Sequence, residues 1–205
     1  NILDETPDHC KILHLSNPVL LPGQLEELVN ASAFRSKQVD CTWELTAGAA
    51  GLRERVNRIV EEVQLAVDDH ATIICLSDRN VSKQRLACPM LMVVGAIHHE
   101  LSKSGQRMMC SLLADTSSVR DSHQLALLFG YGCTGVLPYL AYETICQSSA
   151  SGETPGNTCL QEWNSYRDAL MNGLLKIMSK MGISVLNSYQ GAQIFEAIGI
   201  GSELM

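Results

Sequence analysis

Short apolar runs alternate with longer amphipathic stretches along most of this chain. Residues 38–45 read as a strand. From Leu52 the side chains Leu52, Val56, Ile59, Val60, Val63, Ala66 and Val67 recur at intervals of three and four, which places them on one helix face. Thr46-Ala47-Gly48 marks the entry to that helix and Asp68-Asp69-His70 its exit. Residues 71–76 form an apolar run short enough for a strand buried on both faces. Pro89 opens a second helix through Leu91, Val94, Ala96 and Ile97 to Leu101, since Pro in a first turn sacrifices no hydrogen bond. Residues 108–114 predict the next buried strand and residues 118–128 the next helix. Gly130-Tyr131-Gly132 turns the chain into a short strand at 135–137, and Pro138 starts a helix ending near Cys146. Residues 148–157 carry turn chemistry and no periodicity. A long helix follows over 160–180 with Trp163, Tyr166, Leu170, Leu174 and Ile177 along it, stopped by Met181-Gly182. Residues 183–186 predict a last strand and residues 191–198 a last helix.

This βα alternation, with a step of roughly 30 residues, implies parallel strands joined by helical crossovers. Periodicity leaves two α/β architectures open, a doubly wound sheet and a partial (βα) barrel. The 205 residues suit one domain, with a main βα body over about 1–180 and a C-terminal βα unit over 181–205. Asn1 is preceded by no Met and followed by no basic or apolar leader, so the chain reads as the interior of something larger.

Composition narrows the function classes. Apolar residues make up 46% and charged residues 18%, which is globular rather than disordered. The net charge of −7, without any Lys/Arg run, lacks the electrostatic footprint of a nucleic-acid binder. No apolar stretch approaches the roughly 18 residues of a membrane span. Among the eight cysteines, Cys10, Cys41, Cys75, Cys88, Cys110, Cys133, Cys146 and Cys159, none are closer than 13 positions. That spacing excludes C-x2-C zinc knuckles and iron–sulfur runs. Several sit in apolar runs, where a thiol behaves as a small hydrophobe. All eight are expected reduced, in a reducing intracellular compartment.

Several residue groups invite a chemical reading, each beside a plainer one. Ser77-Asp78-Arg79 follows a predicted strand, where α/β folds place their sites, although Asp78 and Arg79 could equally pair locally. Adjacent helical residues point about 100° apart, so His98 and His99 cannot chelate one ion, and one of them is expected to face the sheet. His123 lies near Asp115, Arg120 and Asp121, but no G-x-S-x-G elbow exposes a serine. Gly130 to Gly135 follows a helix, so it is a tight turn rather than a phosphate loop. Met171, Met178 and Met181 sit at core spacing, and Lys180 suits a helix C-terminus. No catalytic, cofactor-binding or metal-binding residue is assigned.

The motifs themselves go further. Asn1 to Pro7, Leu76-Ser77-Asp78-Arg79, Val94 to His99, Gly130-Tyr131-Gly132, Pro138 to Ala141, Gly173 to Ser184 and Gly191 to Gly199 run in order along the chain. Together they resemble the central, connecting domain of the glutamate synthase large chain. In that family the parent enzyme makes two glutamates from glutamine and 2-oxoglutarate, with electrons from NAD(P)H or ferredoxin. An amidotransferase domain releases ammonia, and an FMN barrel bearing a 3Fe–4S cluster reduces the iminoglutarate. The resemblance implies a rudimentary, flavin-free TIM-like barrel that connects those two domains, in the cytoplasm or a plastid. It places FMN, cluster and nucleophile outside this chain and leaves no cofactor within it. The sequence departs from the family at Glu100, at Gln124 beside His123, at Cys133-Thr134 and at Leu137. A free-standing scaffold or binding protein of the same fold is the second reading. The apolar C-terminal unit, with Ile183, Val185, Leu186, Ile194, Phe195, Ala197, Ile198 and Ile200, is expected to drive self-association if nothing covers it.

Overall fold

The computed structural model describes residues 6, 10–151, 158–195 and 198. The elements are α1 (Pro22–Val29), β1 (Ser36–Asp40), β2 (Thr42–Glu44), α2 (Gly48–Asp68), β3 (Ile73–Ser77), β4 (Arg85–Ala87), α3 (Met90–Lys103), β5 (Ser111–Asp115), α4 (Ser122–Gly130), β6 (Gly135–Leu137), α5 (Tyr139–Ala150), α6 (Cys159–Lys180) and α7 (Leu186–Tyr189). Four strands form one parallel sheet in the order β1-β3-β5-β6, while β2 and β4 make a small antiparallel pair.

That strand order follows the chain order without a reversal. Successive right-handed crossovers taken in one direction put their helices on one face, whereas a doubly wound sheet reverses midway. The four strands therefore form an open parallel sheet that is not wound in the doubly wound manner. Strand side chains alternate, so Ile74, Leu76, Leu112, Ala114 and Val136 face one way and Ile73, Cys75, Leu113 and Leu137 the other. The first face packs under α2, α3, α4 and α6 through Ile59, Val63, Val94, Ile97, Phe129 and Leu174. The second face is covered by Leu25 and Leu28 of α1 and Tyr139 and Tyr142 of α5. The chain reaches α1 from the β6 edge, where Leu20 N donates to Val136 O at 2.8 Å and Val136 N to Pro18 O at 2.9 Å.

Besides α1 and β4, which the sequence reading lacks, and α5, which runs to Ala150 rather than ending near Cys146, the structure departs from the expectations at four places. The expected strand over 38–45 is broken at Cys41, because the Asp40 carboxylate accepts from Thr42 N at 3.0 Å and Thr42 Oγ1 at 2.8 Å, which turns the chain. The strand expected from Met108 starts at Ser111; residues 107–109 form a 3-10 turn with Met108 94% exposed. The helix expected from Ser118 starts at Ser122, where Asp121 accepts from Gln124 N and fixes the first turn. The final βα unit is absent among the described residues. Residues 183–185 are irregular and 186–189 form a single helical turn, since the β6 edge is already paired with residues 18–20. Gly191 and Gln193 take positive φ values of 68° and 53°, which no right-handed helix over 191–195 can hold. The rest of that expected helix, apart from Ile198, lies outside the described residues.

A disulfide joins Cys146 to Cys159, which corrects the expectation of eight reduced thiols. The two face each other across the α5–α6 connection, half-exposed, whereas Cys41, Cys75, Cys88, Cys110 and Cys133 are buried free thiols and Cys10 is an exposed one.

Candidate functional site

Polar residues that follow parallel strands collect at the carboxyl end of the sheet, and three such segments meet here. Ser77, Asp78 and Arg79 leave β3; Asp115, Thr116 and Ser117 leave β5; Tyr139 and Glu143 stand on the helix after β6. Arg79 Nε donates to Asp115 Oδ2 at 2.7 Å, and Ser77 Oγ donates to the same oxygen at 2.9 Å. The Arg79 guanidinium lies 4.0 Å from the centre of the Tyr139 ring and reaches Glu143 at 3.3 Å. Asp78, buried, accepts from Thr116 Oγ1 at 2.6 Å and from Ser117 N at 3.0 Å. These carboxylates tie the loop after β3 to the loop after β5.

Burial decides the electrostatics. Asp115 is only 2% exposed, and burial pushes its carboxyl above the usual range, with the Arg79 and Ser77 hydrogen bonds pulling it partly back. Burial works against the Arg79 cation too, but its hydrogen bond to Asp115 and that carboxylate's charge outweigh it and raise the guanidinium's pKa. Burial, then the Asp78 carboxylate, pushes the Tyr139 hydroxyl up to about 12. Asp115 Oδ1 finds no partner among the described residues. It lines a cleft of about 580 Å³ beside Gln38, Cys75, Arg79, Tyr139 and Trp163. Among the described residues no imidazole stands beside Ser77, and the carboxylate oxygen it meets is shared with Arg79. The arrangement locks these side chains together.

A second cluster closes the amino end. His98 Nδ1 accepts from Arg107 Nε at 2.9 Å, so its proton sits on Nε2, and burial followed by the Arg107 charge lowers its pKa. Arg107 also donates to the carbonyls of Cys110 and Gly132. Gly132, at φ 108°, lies directly against the His98 ring, which also touches Gly191; a Cβ on Gly132 would overlap it. Gly191 N donates to Gly130 O at 2.9 Å, and Phe195 packs against Gly130.

The residues singled out in the sequence thus divide. Ser77, Asp78, Arg79 and Asp115 come together, with Asp78 and Arg79 pairing across to the next strand rather than locally. His98 is half-buried and satisfied, while His99 and His123 are exposed, and Glu100 pairs with Lys103 at 3.4 Å. Gln124 caps the α4 entry: its Oε1 accepts from Arg120 N at 2.7 Å. Gly130 to Gly135 is the expected tight turn, and Leu137 is buried in the inner-face core. Met178 is core, Met181 exposed, and Ser179 and Lys180 stand in solvent. Tyr139 entered the sequence reading only within the Pro138 to Ala141 motif and Glu143 not at all; their signal was position, just after the third strand end. No group of three His, Cys, Asp or Glu side chains able to hold a metal occurs among the described residues. No helix among them is long and apolar enough to cross a membrane.

Comparison with known proteins gives concordant results. The family model described as the glutamate synthase central domain matches residues 1–201. The whole chain aligns at 39% identity with the chloroplastic ferredoxin-dependent glutamate synthase of Oryza sativa subsp. japonica, covering 13% of it. It aligns at 36% with the glutamate synthase [NADPH] large chain of Azospirillum brasilense, covering 14%, and at 34% with the glutamate synthase [NADH] of Saccharomyces cerevisiae, covering 10%. Among solved structures, a flavocytochrome b2 mutant with pyruvate bound superposes with a TM-score of 0.53 at 13% identity. That match covers 90% of this chain and 43% of the other, and it speaks for the fold alone.

Proposed function

The chain belongs to the glutamate synthase central domain family, and from that premise we propose that it is the connecting domain of a glutamate synthase. In this reading it joins an amidotransferase domain to an FMN-bearing domain within one large chain and carries out no chemistry itself. The parent enzyme would convert glutamine and 2-oxoglutarate, with a reductant, into two glutamates. The relatives are seven to ten times longer than this chain, which leaves room in them for both partner domains.

One observation carries the non-catalytic part of the proposal. At the carboxyl end, where a (βα) barrel places its chemistry, most of the charged groups are occupied with one another, Arg79 with Asp115, Glu143 and Tyr139 and Asp78 with Thr116 and Ser117, while Asp115 Oδ1 has no partner among the described residues. The inner face beneath them is covered by Leu25, Leu28, Leu137 and Tyr142, which leave the cleft of about 580 Å³ above them. Its lining sets three carboxylates, Glu26, Asp115 and Glu143, against the single cation Arg79, so the residues present do not fit a flavin's phosphate. The test is Arg79→Lys and Tyr139→Phe in the full-length enzyme. Glutamine-dependent turnover within about threefold of wild type, with unchanged FMN content, is expected. A loss of a hundredfold or more in a correctly folded variant would show that the carboxyl end takes part in the reaction.

A further inference from the structure

Cys146 and Cys159 differ from the five buried cysteines in two ways, and Cys159 in a third. They are bonded to each other, with Cα atoms 5.3 Å apart, inside the ordinary range for a disulfide. Both are half-exposed, so a dissolved thiol can reach them, whereas Cys41, Cys75, Cys88, Cys110 and Cys133 are buried. Burial pushes Cys75 and Cys133 up to about 12, which keeps them inert as thiols. Cys159 is also the first residue of the 22-residue α6, directly after its Thr158 cap, where the free N–H groups and the helix dipole stabilise a thiolate. The bond spans a junction with consequences nearby. Trp163 on α6 donates from Nε1 to Tyr142 O of α5 at 3.0 Å, its ring lies 5.5 Å from that of Tyr142, and both line the carboxyl-end cleft.

We propose that the Cys146–Cys159 pair is a reversible thiol–disulfide site, read by a cellular dithiol, that pins the first turn of α6 to the last turns of α5. In the reducing direction, a thiolate of the dithiol attacks Cys146 Sγ. The electron pair of the protein S–S bond leaves on Cys159 Sγ, which the helix N-terminus stabilises. The second thiol of the reductant then attacks the mixed disulfide and expels Cys146. The two protons and two electrons of the dithiol end on Cys146 and Cys159, and the reductant becomes a cyclic disulfide.

The test uses the full-length protein, acid-quenched and alkylated before digestion. Cleavage after Glu143, Glu153 and Glu162 puts the two cysteines on separate peptides, 144–153 and 154–162. Without reductant these peptides are expected linked. After dithiothreitol under native conditions both should carry the label while Cys41, Cys75 and Cys133 stay unlabelled. The Cys146→Ser variant should alkylate at Cys159 with a midpoint about one pH unit or more below the ordinary 8.5, and Cys159→Ser at Cys146 with an ordinary one. Amide exchange in the first turn of α6 should speed up about tenfold on reduction, and equally in Cys146→Ser. Absence of the linked peptide from native oxidised protein, a Cys159 thiol no more acidic than Cys146, or unchanged exchange would each overturn the proposal.

Discussion

The two ends of the parallel sheet are held by different physics. At the carboxyl end, loops are tied by charge: Arg79 bridges Asp115 and Glu143, and Asp78 gathers the Thr116 hydroxyl and the Ser117 amide. At the amino end, segments are tied by closeness, because Gly130, Gly132 and Gly191 leave room for Phe195 and the His98 ring. Charge-tied loops tolerate small changes of shape and respond to pH. Glycine-tied corners are intolerant of a single methyl group, and here the Arg107–His98 hydrogen bond adds a tie that also responds to pH. The motifs shared with the family fall at both ends, so their presence in the sequence marks structure as much as chemistry.

The largest expected effect sits at the amino end. Gly132→Ala combines a positive φ with a Cβ inside the His98 ring, and should cost about 3–4 kcal/mol by denaturant unfolding. Gly105→Ala shares the positive φ, 74°, but its Cβ meets open space, so about 1 kcal/mol is expected there. Equal losses at the two glycines would show that backbone strain alone governs the corner. Next comes Arg79→Ala, which strands the buried Asp115 carboxylate. Arg79 is itself 40% exposed, so the loss should be about 2–3 kcal/mol at neutral pH, less than for a fully buried pair. The sign of the pH effect follows from Asp115. Its folded-state pKa is already raised and rises further without Arg79, so the variant's deficit should shrink as pH falls and the carboxyl takes up a proton. A deficit independent of pH would remove charge from the account.

Much of this architecture is legible in the sequence, and the failures are instructive. The helix face from Val56 to Val67 and the apolar runs around Ile74 and Leu112 are set by period and burial, which local pattern reports directly. Direction of winding is a property of strand order, and no single segment contains it. The carboxyl-end cluster was half legible: Asp78 and Arg79 announced themselves by standing after a strand, but Asp115 pairs with Arg79 across 36 positions. The disulfide was misread because thiols were judged by sequence neighbours. The apolar runs around Cys75 and Cys110 stood for all eight, whereas Cys146 has Ile145 on one side but Thr144, Gln147 and Ser148 around it and is half-exposed on α5. The last strand does not form beside β6, where residues 18–20 already pair.

A smaller effect should separate the two ends by pH. His98 has a lowered pKa, so the folded state resists its protonation while the unfolded chain accepts it. Stability from this site is whole above the unfolded value near 6.5 and is lost as pH falls below it. His98→Asn keeps an acceptor for Arg107 without a titrating ring. Between pH 7 and 5 the wild type should lose more stability than this variant. Parallel pH profiles for the two proteins would show that the corner's stability does not depend on the imidazole.

The smallest expected effect lies beyond the amino-end corner, where the apolar tail divides into a docked and an exposed part. Phe195 packs between Gly130, Tyr131 and Tyr189, with its ring centre 6.1 Å from each tyrosine ring, so Phe195→Glu should unfold the corner and says nothing clean about association. Ile198 is 90% exposed and makes the sharper probe. Ile198→Glu should leave folding stability within about 0.5 kcal/mol of wild type, as surface substitutions do. Its effect should appear instead in sedimentation, if exposed Val185 and Ile198 draw copies of the chain together. Wild type is expected to show concentration-dependent association that Ile198→Glu weakens. Identical sedimentation of the two, with identical stability, would mean that the tail is finished at Phe195 and offers no adhesive surface beyond it.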